Sequence, residues 1–373
     1  MRAYFDHNAT TPVSAEALAV SLEVLAAPPG NPSSIHTDGQ RARQRVEQAR
    51  SQVAALLGCE PKEIVFTSGG TEADNLALLG AMRPAAGKHL IVSTIEHPAV
   101  LAAADQLERE GAEVSRVHPD AVADAIQPNT VLISVMHANN ETGSIQQFIG
   151  TAHPPGILVH SDGVQAAGRL SVNVKELGVD LYSISGHKLN APKGVGALYI
   201  RDGVKLNPQS FGGRHERGRR AGTENVAGIA AFGAACDWLL RNRDIESRRL
   251  GALRDRFERR LLATVPDVRI NAGNGPRIPN TSNVSIAGVD GEAMVIALDL
   301  AGFAVSTGAA CSSGAVAPSH VLLAIGLTAS EARGSLRVSM GQGNTEAEVD
   351  ALVEAIAASA ARLRRLSPVY SHA

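Results

Sequence analysis

The segment SISGHKLNAPKGVGALYI could do chemistry, because an expected strand ends there in Ser185-Gly186-His187-Lys188 and a glycine-rich stretch leads into another strand. Most lysines that follow strands are solvated surface groups. Upstream of this one, ILVHSDGVQAAG puts Asp162 at the end of an apolar run. An unpaired carboxylate buried there costs on the order of several kcal/mol and calls for a cation. A pyridinium nitrogen is such a cation, since a carboxylate keeps it protonated and makes the ring an electron sink. An aspartate followed by a lysine suits pyridoxal 5'-phosphate, with Lys188 as the Schiff-base lysine. The same two residues could instead form an ordinary buried salt bridge. A third piece, EIVFTSGGTEADNLALLG, runs a strand through Ser68-Gly69-Gly70-Thr71 into a helix. Free amides at the helix start, its positive dipole end and the Thr71 hydroxyl could bind a phosphate dianion. A plain N-capped turn is the alternative. A nucleotide loop fits less well, because neither the spaced glycines of a dinucleotide site nor a Gly-Lys-Ser/Thr follows.

The three cysteines, Cys59, Cys236 and Cys311, are too far apart in sequence for a disulfide framework or a zinc site, and no metal site is expected. Cys59 and Cys236 lie in apolar helical contexts and are expected to pack as small hydrophobes. Cys311 sits in AVSTGAACSSGAVAPSH, where Ser, Gly and Ala give little anchoring, so an accessible thiol on a loop is expected; an inert loop cysteine is the alternative.

These groups need elements to position them. From about residue 14 to 240, helical patterns alternate with the β-branched runs EIVFT, HLIVST, TVLISVM, ILVHSD, DLYSIS and GALYI. That alternation predicts an α/β fold with a mostly parallel sheet covered by helices, whose ligands gather at the carboxyl ends of the strands. Near residue 241 an Arg-rich amphipathic helix, RNRDIESRRLGALRDRFERRLLATV, is expected to lead into a smaller α+β domain. Its expected strands are TSNVSIAG, FAVSTG and SLRVSM, and its last helix ends near Pro368. The predicted division is residues 14–244 for the large domain, and 1–13 with 245–373 for the small one. With Lys+Arg at 35, Asp+Glu at 37 and only 3% aromatics, no nucleic-acid surface is advertised. The start resembles no secretory signal and no apolar run is long enough to span a bilayer, so a cytoplasmic protein without membrane contact is expected.

Taken together, DHNATTP, GNPSSIH, EIVFTSGGTEADN, EHPAV, MHANNETG, HSDGVQ, SGHKLNAPKGVG, GGRHERGRRAGTEN and ACSSG resemble the cysteine desulfurases, in particular their NifS-like/IscS-like branch. The resemblance covers almost the whole chain. It implies fold-type I of the pyridoxal-phosphate enzymes, in the class V aminotransferase-like group, working as homodimers with active sites at the subunit interface. By position, Lys188 matches the Schiff-base lysine, Asp162 the pyridinium partner, Gln165 the donor to the phenolic oxygen and His97 the imidazole stacked on the ring. Gly70, Thr71, Ser185 and His187 match phosphate contacts, with Thr223 supplied by the other subunit. Asn140 matches a residue serving both cofactor and substrate, and Arg337 the guanidinium that pairs with the substrate's α-carboxylate.

For Cys311 the resemblance implies attack on the sulfur of bound L-cysteine, giving L-alanine and an enzyme persulfide whose sulfur passes to an acceptor protein, scaffold or carrier. His97 is the acid/base candidate near that step. Iron–sulfur cluster assembly is one destination. The loop from Cys311 to Pro318 has the longer form of the NifS-like and IscS-like proteins. Two stretches depart from the family pattern: residues 113–126 are shorter than usual, and a Pro-rich run replaces a helix around 146–157. A class V aminotransferase, a selenocysteine lyase and a non-catalytic relay subunit are the competing readings, and the presence of Lys188, Asp162 and Cys311 disfavours the first and the last.

Overall fold

The structure, a computed structural model, describes residues 2–85, 88–147, 154–307 and 318–366. The strands are β1 Ala3–Tyr4, β2 Ile64–Thr67, β3 His89–Ser93, β4 Glu113–Val117, β5 Thr130–Ser134, β6 Leu158–Asp162, β7 Leu181–Ser185, β8 Gly196–Ile200, β9 Val268–Ile270, β10 Thr281–Ile286, β11 Phe303–Ala304 and β12 Ser335–Ser339. The helices are α1 Ala15–Ala26, α2 Thr37–Leu57, α3 Gly70–Met82, α4 Pro98–Arg109, α5 Val226–Thr264, α6 Gly291–Leu300, α7 His320–Ala324, α8 Ala329–Arg333 and α9 Glu346–Leu366.

The chain forms two compact units: Thr11–Ala138 with Gln146–Arg243, and Met1–Thr10 with Asn139–Ile145 and Asp244–Ala373. The short segment Asn139–Ile145 is grouped with the second set, whereas the sequence pattern predicts a large domain continuous from 14 to 244.

In the larger unit a seven-stranded sheet has the order β2-β8-β7-β6-β5-β3-β4. β8 runs antiparallel to both β2 and β7, and the remaining neighbours pair in parallel. It is therefore the mainly parallel α/β sheet expected of fold-type I. Alternation along the strands explains its two covered faces. Phe66, Tyr182, Ala197 and Tyr199 pack with Val46, Val53 and Leu57 of α2 and Phe232 of α5. Their neighbours Val65, Leu181 and Leu198 pack on the opposite face with Leu76 and Leu78 of α3 and Val100 and Leu107 of α4.

The smaller unit is α+β. Its antiparallel sheet has the order β12-β10-β9, and β1 pairs in parallel with β11. Phe257, Leu261, Val284, Leu336, Val338, Leu352 and Ile356 form its core. FAVSTG yields only the two-residue β11, a correction. The expected Arg-rich helix is present and forms the second half of a single 39-residue α5, and β1, β4 and β9 are strands beyond the expected ones. The last described helix residue is Leu366, so Pro368 lies outside the described residues. Among the described residues no helix is long and apolar enough to cross a membrane.

Candidate active site

β2, β3, β6 and β7 share one direction, so their carboxyl ends lie along one edge of the sheet. The sequence-predicted groups sit there in turn. After β2 the chain turns through Ser68 and Gly69 and enters α3 at Gly70, without a side-chain cap on the first amides. Those amides have no intrahelical acceptors, which is the arrangement that binds anions. The backbone lies flush with the sheet because β8 begins with glycine: a Cβ on Gly196 would fall 2.7 Å from the Gly69 Cα. Gly70 is buried and Thr71 is exposed. Glu72 shapes the turn by accepting the Ser68 N–H at 2.7 Å.

β6 ends in Asp162, only 5% exposed, whose Oδ1 accepts the Val164 N–H at 2.9 Å. Burial, then the neighbouring Asp74, pushes its carboxyl up to about 6, opposed by His97. Asp74, on α3, is pushed up to about 7 by burial. Ligand atoms of Asp74, His97 and Asp162 lie within 4.8 Å of one another. Two carboxylates buried together favour a cation beside them. Tyr182 walls this corner; a Cβ on Gly163 would come within 2.0 Å of its ring, so the residue after Asp162 must be glycine. Its hydroxyl hydrogen-bonds His137 Nδ1 at 2.8 Å.

His97 follows β3 and caps α4, with Nδ1 accepting the Ala99 N–H at 3.1 Å. In the neutral ring the proton is therefore on Nε2. Gln165 is buried, and its Oε1 accepts from Arg169 at 2.9 Å, which turns its NH2 the opposite way as a donor.

β7 ends at Ser185, and the next turn, Gly186–Lys188, presents a half-buried Lys188. The turn is tied down from the N-terminal motif: the Thr11 N–H and hydroxyl each donate to the His187 carbonyl at 2.9 Å, and the Asn190 N–H donates to Thr11 Oγ1 at 2.9 Å. Burial, then Lys188 and Lys193, lowers His187 to about 4, so its ring is neutral near pH 7. One unit thus presents a buried anion, an amine on a pinned turn, an anion-binding helix start and an imidazole with a set tautomer. The donor set fits pyridoxal phosphate: Asp162 would suit the pyridinium, Lys188 the aldehyde carbon, and the uncapped helix start at Gly70 and Thr71 the phosphate.

The family model for aminotransferase class-V matches residues 3–352. A cysteine desulfurase of Trichormus azollae is 43% identical over 377 residues, which is 98% of this chain and 94% of that protein. The chain belongs to the cysteine desulfurases of the aminotransferase class-V family. A solved NifS-like protein superposes on this cysteine desulfurase homologue with a TM-score of 0.88 at 34% identity, over 96% of this chain and 99% of that one. SspA, solved in complex with cysteine, gives a TM-score of 0.81 at 34% identity, over 91% and 99% of the two chains. Membership of the class-V family implies a pyridoxal-phosphate cofactor.

The remaining family positions are Asn140, Thr223, Arg337 and Cys311. In the smaller unit the Arg337 guanidinium donates through Nη1 to the Asn140 carbonyl at 3.1 Å and through Nη2 to Asp6 Oδ1 at 2.7 Å. Thr223, in the larger unit, is exposed. Cys311 lies outside the described residues. Cys59, part-buried, is pushed up to about 12 by burial, and Cys236 is fully buried with its thiol pushed up as well; both suit inert packing. Sequence reasoning missed Asp6, Asp74, Arg169 and Tyr182. Asp6 and Asp74 stand inside the quoted motifs DHNATTP and TEADN, but no sequence signal says which carboxylate of a motif is buried.

Proposed function

We propose that the chain is a pyridoxal-phosphate-dependent cysteine desulfurase converting L-cysteine to L-alanine and carrying the sulfur on Cys311 as a persulfide to an acceptor protein. The carrying observation is the convergence of the Ser68–Thr71 turn, His97, Asp162 and Lys188 at one sheet edge. Asp162 would hold the pyridinium, Gln165 the phenolic oxygen, and Gly70, Thr71, Ser185 and His187 the phosphate, with Thr223 contributed to the partner subunit. When bound, the cofactor supplies an electron sink for the substrate's α carbon.

The residues do the rest. Arg337 pairs with the substrate carboxylate, and Asn140 orients the bound amino acid. Lys188 Nζ moves the proton at the substrate's Cα. The Cys311 thiolate attacks the substrate's Sγ: an S–S bond forms, the Cβ–Sγ bond breaks, and the carbon keeps the electron pair and is protonated. The sum is L-cysteine plus enzyme thiol giving L-alanine plus enzyme persulfide, so atoms and electrons balance without an external oxidant. His97, its Nε2 carrying the proton, is the acid/base group for this exchange.

A homodimer is supported by an exposed apolar stripe on α1, where Leu18, Leu22 and Leu25 recur at helical spacing with 50%, 57% and 71% exposure. The exposure of Thr223 is compatible with the proposed contribution to a second copy. A free thiol nucleophile suits a reducing compartment, which supports the cytoplasm. The acceptor is proposed to be a scaffold or carrier protein, with iron–sulfur cluster assembly as one route.

The test is incubation of purified protein with pyridoxal phosphate and L-cysteine, with assay of alanine and of protein-bound persulfide, for wild type and Cys311→Ser. Alanine with a persulfide mapped to Cys311 is expected. A cofactor spectrum without persulfide in the wild type would refute the desulfurase reading in favour of another class V reaction.

A further inference from the structure

The phosphate cradle contains a carboxylate. Glu72 is the third residue of α3, and its Oε2 is fixed by the Ser68 N–H at 2.7 Å, so a negative charge stands in the first turn of the helix that would bind the dianion. An acidic group there suits the helix dipole but opposes a second anion at the same amides. Arg220 answers it: Nε lies 2.7 Å from Glu72 Oε1 and Nη2 3.3 Å from Oε2. Their side chains are 25% and 27% exposed, so solvent screens the pair incompletely. Burial raises the Glu72 carboxyl, and the hydrogen bonds from Arg220 and Ser68 outweigh it, leaving the group below the ordinary carboxylate range.

Arg220 is delivered by an anchored loop. Two residues of the preceding turn, Glu216 and Arg217, take left-handed backbone with φ of 45° and 59°. Glu216 is buried in a two-pronged pair with Arg50, both contacts at 2.8 Å, and accepts the Phe66 N–H at 2.9 Å. Phe66 belongs to β2, the strand that runs into the cradle. Backbone strain of this kind persists only where the surroundings hold it, and here they hold the loop to the strand that feeds the turn.

We propose that Arg220 is a positioning residue for cofactor binding, one that neutralises Glu72 so that the carboxylate can shape the Ser68 turn without repelling the phosphate. The inference rests on the reading that Gly70 and Thr71 hold that phosphate.

The experiment measures dissociation constants of the cofactor-free protein for pyridoxal phosphate and, in parallel, for pyridoxal. Wild type, Arg220→Gln, Glu72→Gln and the double variant are compared, with thermal melting as the check on folding. Gln at position 72 keeps an acceptor for the Ser68 N–H and removes the charge. Arg220→Gln is expected to weaken pyridoxal phosphate roughly tenfold. Glu72→Gln is expected to tighten it, and the double variant to return to within about threefold of wild type. Pyridoxal affinity should be the same in all four. An unchanged constant in Arg220→Gln, or a double variant as weak as Arg220→Gln, overturns the inference. If Arg220→Gln does not fold, Glu72→Gln decides alone, and an unchanged or weakened constant overturns it. If the wild type binds pyridoxal as tightly as pyridoxal phosphate, the cradle reading fails first and the role of Arg220 falls with it.

Discussion

Arg337 is held by Asp6: its Nη2 lies 2.7 Å from Asp6 Oδ1, and the arginine is 2% exposed. A guanidinium this deep needs a counter-ion. Asp6 is itself only partly buried, and Nη1 donates to the Asn140 carbonyl, so the plane of the fork is set from two sides. Nε is buried and has no hydrogen-bond partner among the described residues. A fixed guanidinium with an unsatisfied edge is what recognition of a carboxylate uses.

On the proposed role, Arg337→Ala should raise the Michaelis constant for L-cysteine by roughly 10- to 100-fold, the worth of a charge-assisted pair. The cofactor absorbance should be unchanged. Arg337→Lys should not restore affinity, because an ammonium lacks the planar fork. Steady-state kinetics check both; an unchanged constant in Arg337→Ala means another cation holds the carboxylate.

Lys188 sits on a turn pinned through the His187 carbonyl by Thr11, so backbone bonds fix the point from which its side chain leaves the chain. Lys188→Ala should keep the melting temperature close to that of the wild type while abolishing both the long-wavelength cofactor band and turnover. Absorbance spectra and an alanine assay read the two effects separately. Turnover surviving the substitution is incompatible with the assigned role.

The strands that carry these groups are legible because each is a short β-branched run ending in a turn signal, and the alternation of their faces follows from the pleat. GALYI coincides with β8. β4 escapes because EVSRV is a charged, half-exposed edge strand, and β9 because a three-residue edge strand carries almost no pattern. The joining of two helical patterns into α5 is hidden for another reason. Arg-rich texture after residue 241 marks a change of surroundings, and a helix continues through such a change when no glycine or proline interrupts it there. Asp162 and Lys188 are readable from chemistry at strand ends. Arg220 is readable only as one of several arginines in GGRHERGRRAGTEN, since its pairing with Glu72 joins residues 148 positions apart.

Glu216 tests the anchoring of the loop that delivers Arg220. Its side chain is 2% exposed and that of its partner Arg50 is 5% exposed. Glu216→Ala leaves the guanidinium buried without its two-pronged partner and the Phe66 N–H without its acceptor. Breaking a buried pair from one side costs about 3–5 kcal/mol. A fall of that size in unfolding free energy by urea denaturation is expected, and a loss under about 1 kcal/mol, the range of exposed pairs, would show that the loop is not anchored here.

Asp74 should carry a stability cost that depends on pH. Its carboxyl, ordinarily near 3.8, is raised to about 7 by burial, so the folded protein binds its proton more tightly than the unfolded chain does. With a raised acid the sign is fixed: stability falls as pH rises from the ordinary value to the folded one, and is level above it. Asp162, raised to about 6, adds a loss of the same sign, and Glu96, also raised by burial, acts likewise. His160, lowered to about 4 by burial, opposes them, because its folded form resists protonation and gains stability as pH rises. The total profile therefore mixes signs, but the difference between Asp74→Asn and wild type isolates one group. For the cofactor-free protein that difference should be small near pH 4, grow in favour of the variant up to about pH 7, and then level off at an order of a few kcal/mol. Thermal melts across that range measure it. A difference that does not change with pH would mean that Asp74 is ionised at little cost, and hence that a cation or water already compensates it beside Asp162.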